Sequence, residues 1–187
     1  MTTAALLLAA GASRRFGAAD KLLTPLSGRP LVEHAALALA ALPLTHRIGV
    51  VSNPEVGLIL ARCGFELATI SPGRPLSSSI RSGMRVVQKR RTKSVLVALG
   101  DMPFVTTEDF ARLIADTRDS IRCAVCEGIA MPPAVFPARY YDRLMQLSKD
   151  KGASALISNL PEENRIEFPQ SRIRDIDRPS DLAFASS

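Results

Sequence analysis

Short aliphatic runs alternate along the chain with longer stretches in which apolar positions recur every three or four residues. The first run is Ala4–Ala9, followed by a loop of glycine, serine and arginine. A helix is predicted from about Pro30, because proline suits a first helical position. Its Leu31, Ala35, Ala38, Leu39 and Leu42 then share one face. Arg47–Val51 reads as a second strand, Pro54–Arg62 as a helix closed by Gly64, and Phe65–Ile70 as a third strand. Ser77, Ser78 and Ser79 precede a helix that turns Ile80, Met84 and Val87 inward, and serines are natural N-caps. Ser94–Leu99 is nearly all apolar, as expected of a central strand buried on both faces. Thr106-Thr107-Glu108-Asp109 has the spacing of a capping box ahead of Phe110, Leu113 and Ile114. Further strands are expected at Ile121–Cys126, Ala134–Phe136, near Glu163–Phe168 and around Ile173–Ile176. Helices are expected at Arg139–Leu147, at Ala153–Ser158 and from Pro179 onward. Strands alternating with amphipathic helices predict an α/β layered sheet, and 187 residues fit one domain.

Composition narrows the class. Nearly half the residues are apolar and few are aromatic, so the core should be aliphatic. No apolar run approaches the roughly 20 residues of a membrane span. Met1-Thr2-Thr3 leads straight into the first strand without a basic leader, which predicts a cytoplasmic protein. The net charge of +6 suits nucleic acid, an anionic membrane or a small polyanion. The densest cationic run, Lys89-Arg90-Arg91-Thr92-Lys93, has no interleaved aromatic for base stacking. It falls at a helix end, where cations complement the dipole. Nucleic acid and membrane are therefore not expected as partners, whereas a triphosphate is compatible. Cys123 and Cys126 lie three apart on an expected strand and should face opposite sides, which argues against a redox or metal pair. His34 and His46 have no serine or cysteine nucleophile arranged around them, so a triad hydrolase is unsupported.

Four segments carry candidate chemistry. Leu8-Ala9-Ala10-Gly11-Ala12-Ser13-Arg14-Arg15-Phe16-Gly17 and on to Lys21 leaves the end of the first strand, where open α/β sheets place ligands. Small residues let the backbone approach a phosphate, and Arg15 and Lys21 add positive charge. Five residues separate Gly11 from Gly17, which fails the P-loop spacing, and no dinucleotide fingerprint is present. An ordinary flexible connection and a phosphate cradle both fit the composition. In the second segment, Gly100-Asp101-Met102-Pro103, Pro103 biases Met102 toward extended geometry. Asp101 is thereby offered at the sheet edge, either as a Mg²⁺ ligand or as a turn cap. In the third, Asp175 and Asp177 alternate on one face; they suit a metal site or an acceptor, or Asp177 caps a final helix. The fourth, Ser77–Gly83, offers hydroxyls and helix-start N–H groups to a base or ribose, or plain caps.

Taken together, Leu8–Lys21 with Leu22-Leu23, Ser77–Gly83, Gly100–Pro103, Asp150-Lys151-Gly152-Ala153 and Asp175–Leu182 resemble the molybdenum cofactor cytidylyltransferases. These belong to the wider molybdenum cofactor nucleotidyltransferase group. The resemblance implies a three-layer α/β/α sandwich with a Rossmann-like, mostly parallel sheet, the nucleotide-diphospho-sugar transferase fold. It also implies Mg²⁺-dependent nucleotide transfer with release of pyrophosphate. On it, Leu8, Ala9, Ala10, Gly11, Ala12, Ser13, Ser77, Ser78, Ser79, Gly83 and Gly100 would bind nucleotide. Arg15, Lys21 and Asp101 would be catalytic. Asp101 and Asp177 would hold the metal, and Asp150, Lys151 and Asp175 would face the acceptor. Ala9-Ala10-Gly11 resembles the CTP-using members, where GTP-using relatives tend to have a second glycine. The implied acceptor is a molybdopterin-type phosphate, with a molybdoenzyme as a possible client. Ala130-Met131-Pro132-Pro133 departs from the family's usual Gly-His-Pro-like sequence. That departure keeps open a non-catalytic cofactor-binding chaperone, and the Ala-Ala-Gly loop, shared with such enzymes, keeps open a cytidylyltransferase for a sugar or polyol phosphate.

Overall fold

Strand β1 (Thr3–Ala9) is buried along its whole length, because it lies between two other strands and is covered by helices on both faces. It opens a computed structural model that describes residues 2–11, 20–115, 119–148, 153–174 and 176. After it come a two-residue hairpin, β2 (Pro25–Leu26) and β3 (Arg29–Pro30), then α1 (Leu31–Ala40), β4 (His46–Val51) and α2 (Pro54–Arg62). The middle of the chain supplies β5 (Glu66–Thr69), α3 (Leu76–Lys89), β6 (Ser94–Leu99) and α4 (Thr107–Ile114). The remainder adds β7 (Arg122–Cys126), β8 (Ile129–Pro137), α5 (Tyr141–Met145), α6 (Ser154–Ile157), β9 (Arg165–Glu167) and α7 (Gln170–Ile173). No helix among the described residues is long and apolar enough to cross a membrane.

The main sheet has seven strands in the order β5-β4-β1-β6-β8-β7-β9. β1 pairs in parallel with β4 and β6, β4 with β5, and β7 with β9. Only β8 runs against its neighbours. Alternation along each strand divides the apolar residues between two cores. Ala5, Leu7 and Ala9 of β1 pack with Leu31, Leu39, Leu60, Phe110 and Leu113 from α1, α2 and α4. Ala4, Leu6 and Leu8 pack with Ile80, Met84, Val87, Leu144 and Ile157 from α3, α5 and α6. The result is the expected three-layer α/β/α sandwich with a mostly parallel, Rossmann-like sheet. Cys123 and Cys126 are buried in opposite cores, as their spacing on one strand requires, and neither is in a disulfide.

Some local expectations need correction. Of the strand expected around Ile173–Ile176, Ile173 instead closes a short helix, Gln170–Ile173, with Pro169 at its N-cap, and the described Arg174 and Ile176 are in no strand. No serine caps α3: Pro75 holds the N-cap position without a side-chain bond. The capping box at Thr106 and Asp109 forms as expected, each side chain reaching the other's backbone N–H. The single helix expected over 139–147 is a 3₁₀ turn, Ala138–Tyr140, running into α5. Pro132 and Pro133 fall at the irregularity in the β7–β8 pairing, between partners Met131 and Ala134. Prolines cannot donate to a ladder, so the departure from regular pairing sits where the backbone lacks two donors. The expected helix from Pro179 lies outside the described residues.

Candidate functional site

Strand order reverses between β1 and β6. From β1 the chain builds outward through β4 and β5, then returns over α3 to place β6 on the other side of β1. Such a reversal opens a crevice at the carboxyl ends of the strands. Leu8 and Leu99 are register partners at that end. Gly100 N–H then donates to the Leu8 carbonyl at 2.9 Å. A Cβ at Gly100 would stand 3.2 Å from Val32 Cγ2 and 3.3 Å from Ala9 Cβ, so this crossing leaves little room for a side chain. The tight crossing delivers Asp101 beside the chain leaving β1.

A cleft of about 520 Å³ opens there. Leu8, Ala10 and Gly11 line one wall, Lys21 and Leu22 another, and Leu99 and Asp101 a third. The start of α3 closes the remaining side with Gly73, Arg74, Pro75, Leu76 and Ser79. Lys21 begins a 3₁₀ turn, Lys21–Leu23, that Asp20 caps by accepting the Leu22 N–H on Oδ1 at 3.0 Å. From this turn Lys21 Nζ donates to Asp101 Oδ2 at 2.7 Å, with the two side chains 10% and 23% exposed. The pair thus joins the loop after β1 to the loop after β6. Asp20 Oδ2 accepts from Asn53 Nδ2 at 2.9 Å, and Asn53 Oδ1 accepts the Glu55 N–H at 2.9 Å as the N-cap of α2.

At the opposite wall, α3 has no side-chain cap and no acid in its first turn. Its first-turn N–H groups and the positive end of its dipole therefore favour an anion in the cleft.

The structure brings Leu8, Ala10, Gly11, Lys21, Ser79 and Asp101 together as cleft lining. Ala9 and Gly100 support the floor without lining it, Ala9 being buried against the α1 side. Three expected nucleotide contacts fall elsewhere. Ser77 is fully buried, and Ser78 Oγ accepts from Arg81 at 3.2 Å. Gly83 is packed against the sheet, where a Cβ would lie 2.8 Å from Val50 Cγ2 and closer still to Leu6. Its value is close helix–sheet approach rather than ligand contact. Ala12, Ser13, Arg15, Asp150, Lys151, Asp175 and Asp177 lie outside the described residues. The described neighbour of the last two, Ile176, donates its N–H to the Asp101 carbonyl at 3.2 Å.

Sequence reasoning missed Arg74, Asp20 and Asn53. Arg74 carried a legible signal: Pro72-Gly73-Arg74-Pro75 is a turn that sets a cation at a helix start. The Asp20–Asn53 contact spans 33 positions and had no local signature.

The profile of the MobA-like NTP transferase domain matches residues 5–165. A probable molybdenum cofactor guanylyltransferase of Pyrococcus horikoshii is 31% identical over 128 residues, covering 66% of this chain and 61% of the relative. Nicotine blue oxidoreductase of Paenarthrobacter nicotinovorans is 33% identical over 114 residues, covering 60% of this chain and 55% of the relative. The chain therefore spans less than two thirds of either. Rv0371c of Mycobacterium tuberculosis H37Rv superposes with a TM-score of 0.83 at 20% identity, covering 100% of both chains. A manganese complex of Rv0371c gives 0.77 at 20% identity, over 99% of this chain and 98% of that one. A CMP:2-keto-3-deoxy-manno-octonic acid synthetase complexed with CTP superposes at 0.72 with 12% identity, over 98% of this chain and 96% of that one. At these identities the structures establish the shared fold.

Proposed function

Since the chain belongs to the MobA-like NTP transferase domain family, we propose that it is a cytoplasmic nucleotidyltransferase. In this reading it moves CMP from CTP to a phosphorylated acceptor of the molybdopterin type and releases pyrophosphate. The observation that carries the reading is the Lys21–Asp101 pair, 2.7 Å apart, at the strand-order reversal and across the cleft from the uncapped start of α3. A cation, a helix N-terminus and a carboxylate converging on one cleft suit a metal-bound triphosphate.

Asp101 suits Mg²⁺ because the ion takes hard oxygen ligands, commonly one or two carboxylates completed by phosphate oxygens and water. Its carboxylate is partly exposed at the cleft, which leaves it accessible to an incoming metal–nucleotide. When bound, the ion would supply charge neutralisation on the triphosphate. Asp177 is the second proposed ligand, and Asp175, Asp150 and Lys151 are proposed for the acceptor side. The manganese complex of the structural neighbour Rv0371c is consistent with a divalent metal.

The chain's own groups then have defined tasks. A phosphate monoester, with its second pKa near about 6, is already an anionic nucleophile at neutral pH, so no general base is required. Lys21, Arg15 and the α3 N–H groups hold the triphosphate in line and stabilise charge growing on the leaving pyrophosphate. The apolar walls from Leu8, Leu22 and Leu99 limit water around the reacting phosphates.

CTP is preferred because Ala9-Ala10-Gly11 resembles CTP-using members, and the synthetase of the same fold binds CTP. Molybdopterin is preferred as acceptor by that resemblance and by the Pyrococcus relative's description. A molybdoenzyme would be the eventual client of the product. A second reading, redox chemistry on this scaffold, follows from the oxidoreductase relative.

The test incubates purified protein with Mg–CTP or Mg–GTP, each with molybdopterin and with sugar and polyol phosphates, and follows pyrophosphate. Release with CTP and molybdopterin is expected. Preference for GTP would replace the donor, and preference for a polyol phosphate would replace the acceptor. Molybdopterin binding without release would favour the chaperone alternative. No nucleotide binding and no release with any pair would remove the transferase reading and leave the redox one.

A further inference from the structure

We propose that Asn53 is a positioning residue for Lys21, acting through Asp20. The inference rests on the nucleotidyl-transfer reading of the same cleft and adds to it a part that lies outside the cleft lining.

Lysine is a flexible four-carbon stem carrying a point charge. Its ammonium reaches one carboxylate reproducibly only if the backbone at its root is fixed. That root is the short turn Lys21–Leu23, too short to hold its own position by helical hydrogen bonding. Two side-chain links compensate. Asp20 Oδ1 closes the turn through the Leu22 N–H, and Asp20 Oδ2 ties it to Asn53 Nδ2 at 2.9 Å. Asn53 is itself immobilised, because its Oδ1 caps α2 through the Glu55 N–H.

The layout gives this relay a direction. Asn53 follows β4, one neighbour of β1, and Asp101 follows β6, the other neighbour. Lys21 is therefore held from one side of β1 and presented to a carboxylate on the other.

The side-chain chemistry at position 53 fits the task narrowly. An amide supplies one acceptor for the cap and one donor for the carboxylate at the same time. Aspartate would cap α2 equally well but would face Asp20 with a like charge. Serine would also cap, but its one oxygen would have to act as acceptor and donor at the same atom, whereas the amide divides the two roles over separate atoms. The residue at 53 thus does more than capping asks of it.

The test compares wild type with Asn53→Asp, Asn53→Ser and the exchange Asp20→Asn/Asn53→Asp. The exchange retains all three hydrogen bonds with the donor moved to position 20. Acetylation of the Lys21 amine in nucleotide-free protein, read by mass spectrometry, reports the lysine's placement independently of any activity. Pyrophosphate release from Mg–CTP and acceptor reports its use. In Asn53→Asp, Lys21 labelling should rise about tenfold and kcat/KM should fall about tenfold, the usual scale for one lost hydrogen bond to a charge. The exchange should restore both to within about twofold of wild type. Circular dichroism checks that α2 and the fold persist, and Asn53→Ser, which lacks the added charge, should show the same trend more weakly. Unchanged Lys21 labelling in Asn53→Asp overturns the inference, as does failure of the exchange to restore it. If labelling follows the expectation while wild type releases no pyrophosphate with any nucleotide, the positioning stands and the transferase reading falls.

Discussion

Lys21 is the residue on which the proposed chemistry turns. Its ammonium is largely buried and contacts the one cleft carboxylate among the described lining residues. Lys21→Ala should lower turnover by more than about 10²-fold, the scale for removing a preorganised charge from a transition state. Single-turnover pyrophosphate release would measure it, and near wild-type turnover would remove Lys21 from the mechanism. Lys21 and Asp101 were both legible in the sequence, because Asp101 sits just past an apolar strand and Lys21 ends the small-residue segment that leaves another, and strand ends are where such sheets bind. Their supporting residues were not. Asp20 caps its own turn and Asn53 caps α2, and neither local role signals the contact between them, 33 positions apart. At Cys123 the environment has a consequence for pH. Burial pushes its thiol up from the ordinary 9.0 to about 11, with nearby Arg165 opposing the shift. The folded protein then holds a proton that the unfolded chain releases first, so stability present below pH 9 is lost as pH rises toward 11. Thermal midpoints recorded across that window should fall, and the fall should be shallower in Cys123→Ala.

Among the elements, α3 is the one whose start and middle do different work. Its start faces the cleft without a cap, and its middle lies flat on β1 and β4 through Gly83. Gly83→Ala should therefore cost about 1–3 kcal/mol, the range for inserting a carbon into a packed interface. Urea denaturation would show the loss, while KM for the nucleotide should stay unchanged because Gly83 does not line the cleft. A glycine preceded by a run of serines reads in sequence as part of a binding motif; the close approach to Leu6 and Val50 shows its packing role. Strongly patterned elements were legible nearly to the residue, as with Pro54–Arg62 and Ser94–Leu99. Their burial on one or two faces writes a period into the sequence. The β2–β3 hairpin and α7 were not, since the hairpin strands are two residues each and α7 holds a single apolar residue, Ile173.

At the scale of the whole molecule, charge and strand order matter most. A net charge of +6 on a chain that would take an anionic substrate should assist encounter through long-range attraction. Raising salt from about 50 to about 500 mM shortens the Debye length to well under about 10 Å. KM for Mg–CTP should then rise several-fold with kcat little altered, in steady-state assays at matched pH, because the short contacts at Lys21 are screened less than the distant field. Strand order has a different consequence, one of timing. β1 lies mid-sheet, and Thr3 bonds Ser94, 91 positions later, through their hydroxyls at 2.8 Å. During synthesis, this apolar segment must wait for the 91 positions up to Ser94 to emerge before its second neighbour exists. Until then Ala4–Ala9 is an unfinished sheet edge, and the nascent chain passes through its most adhesive state well before the cleft has a second wall.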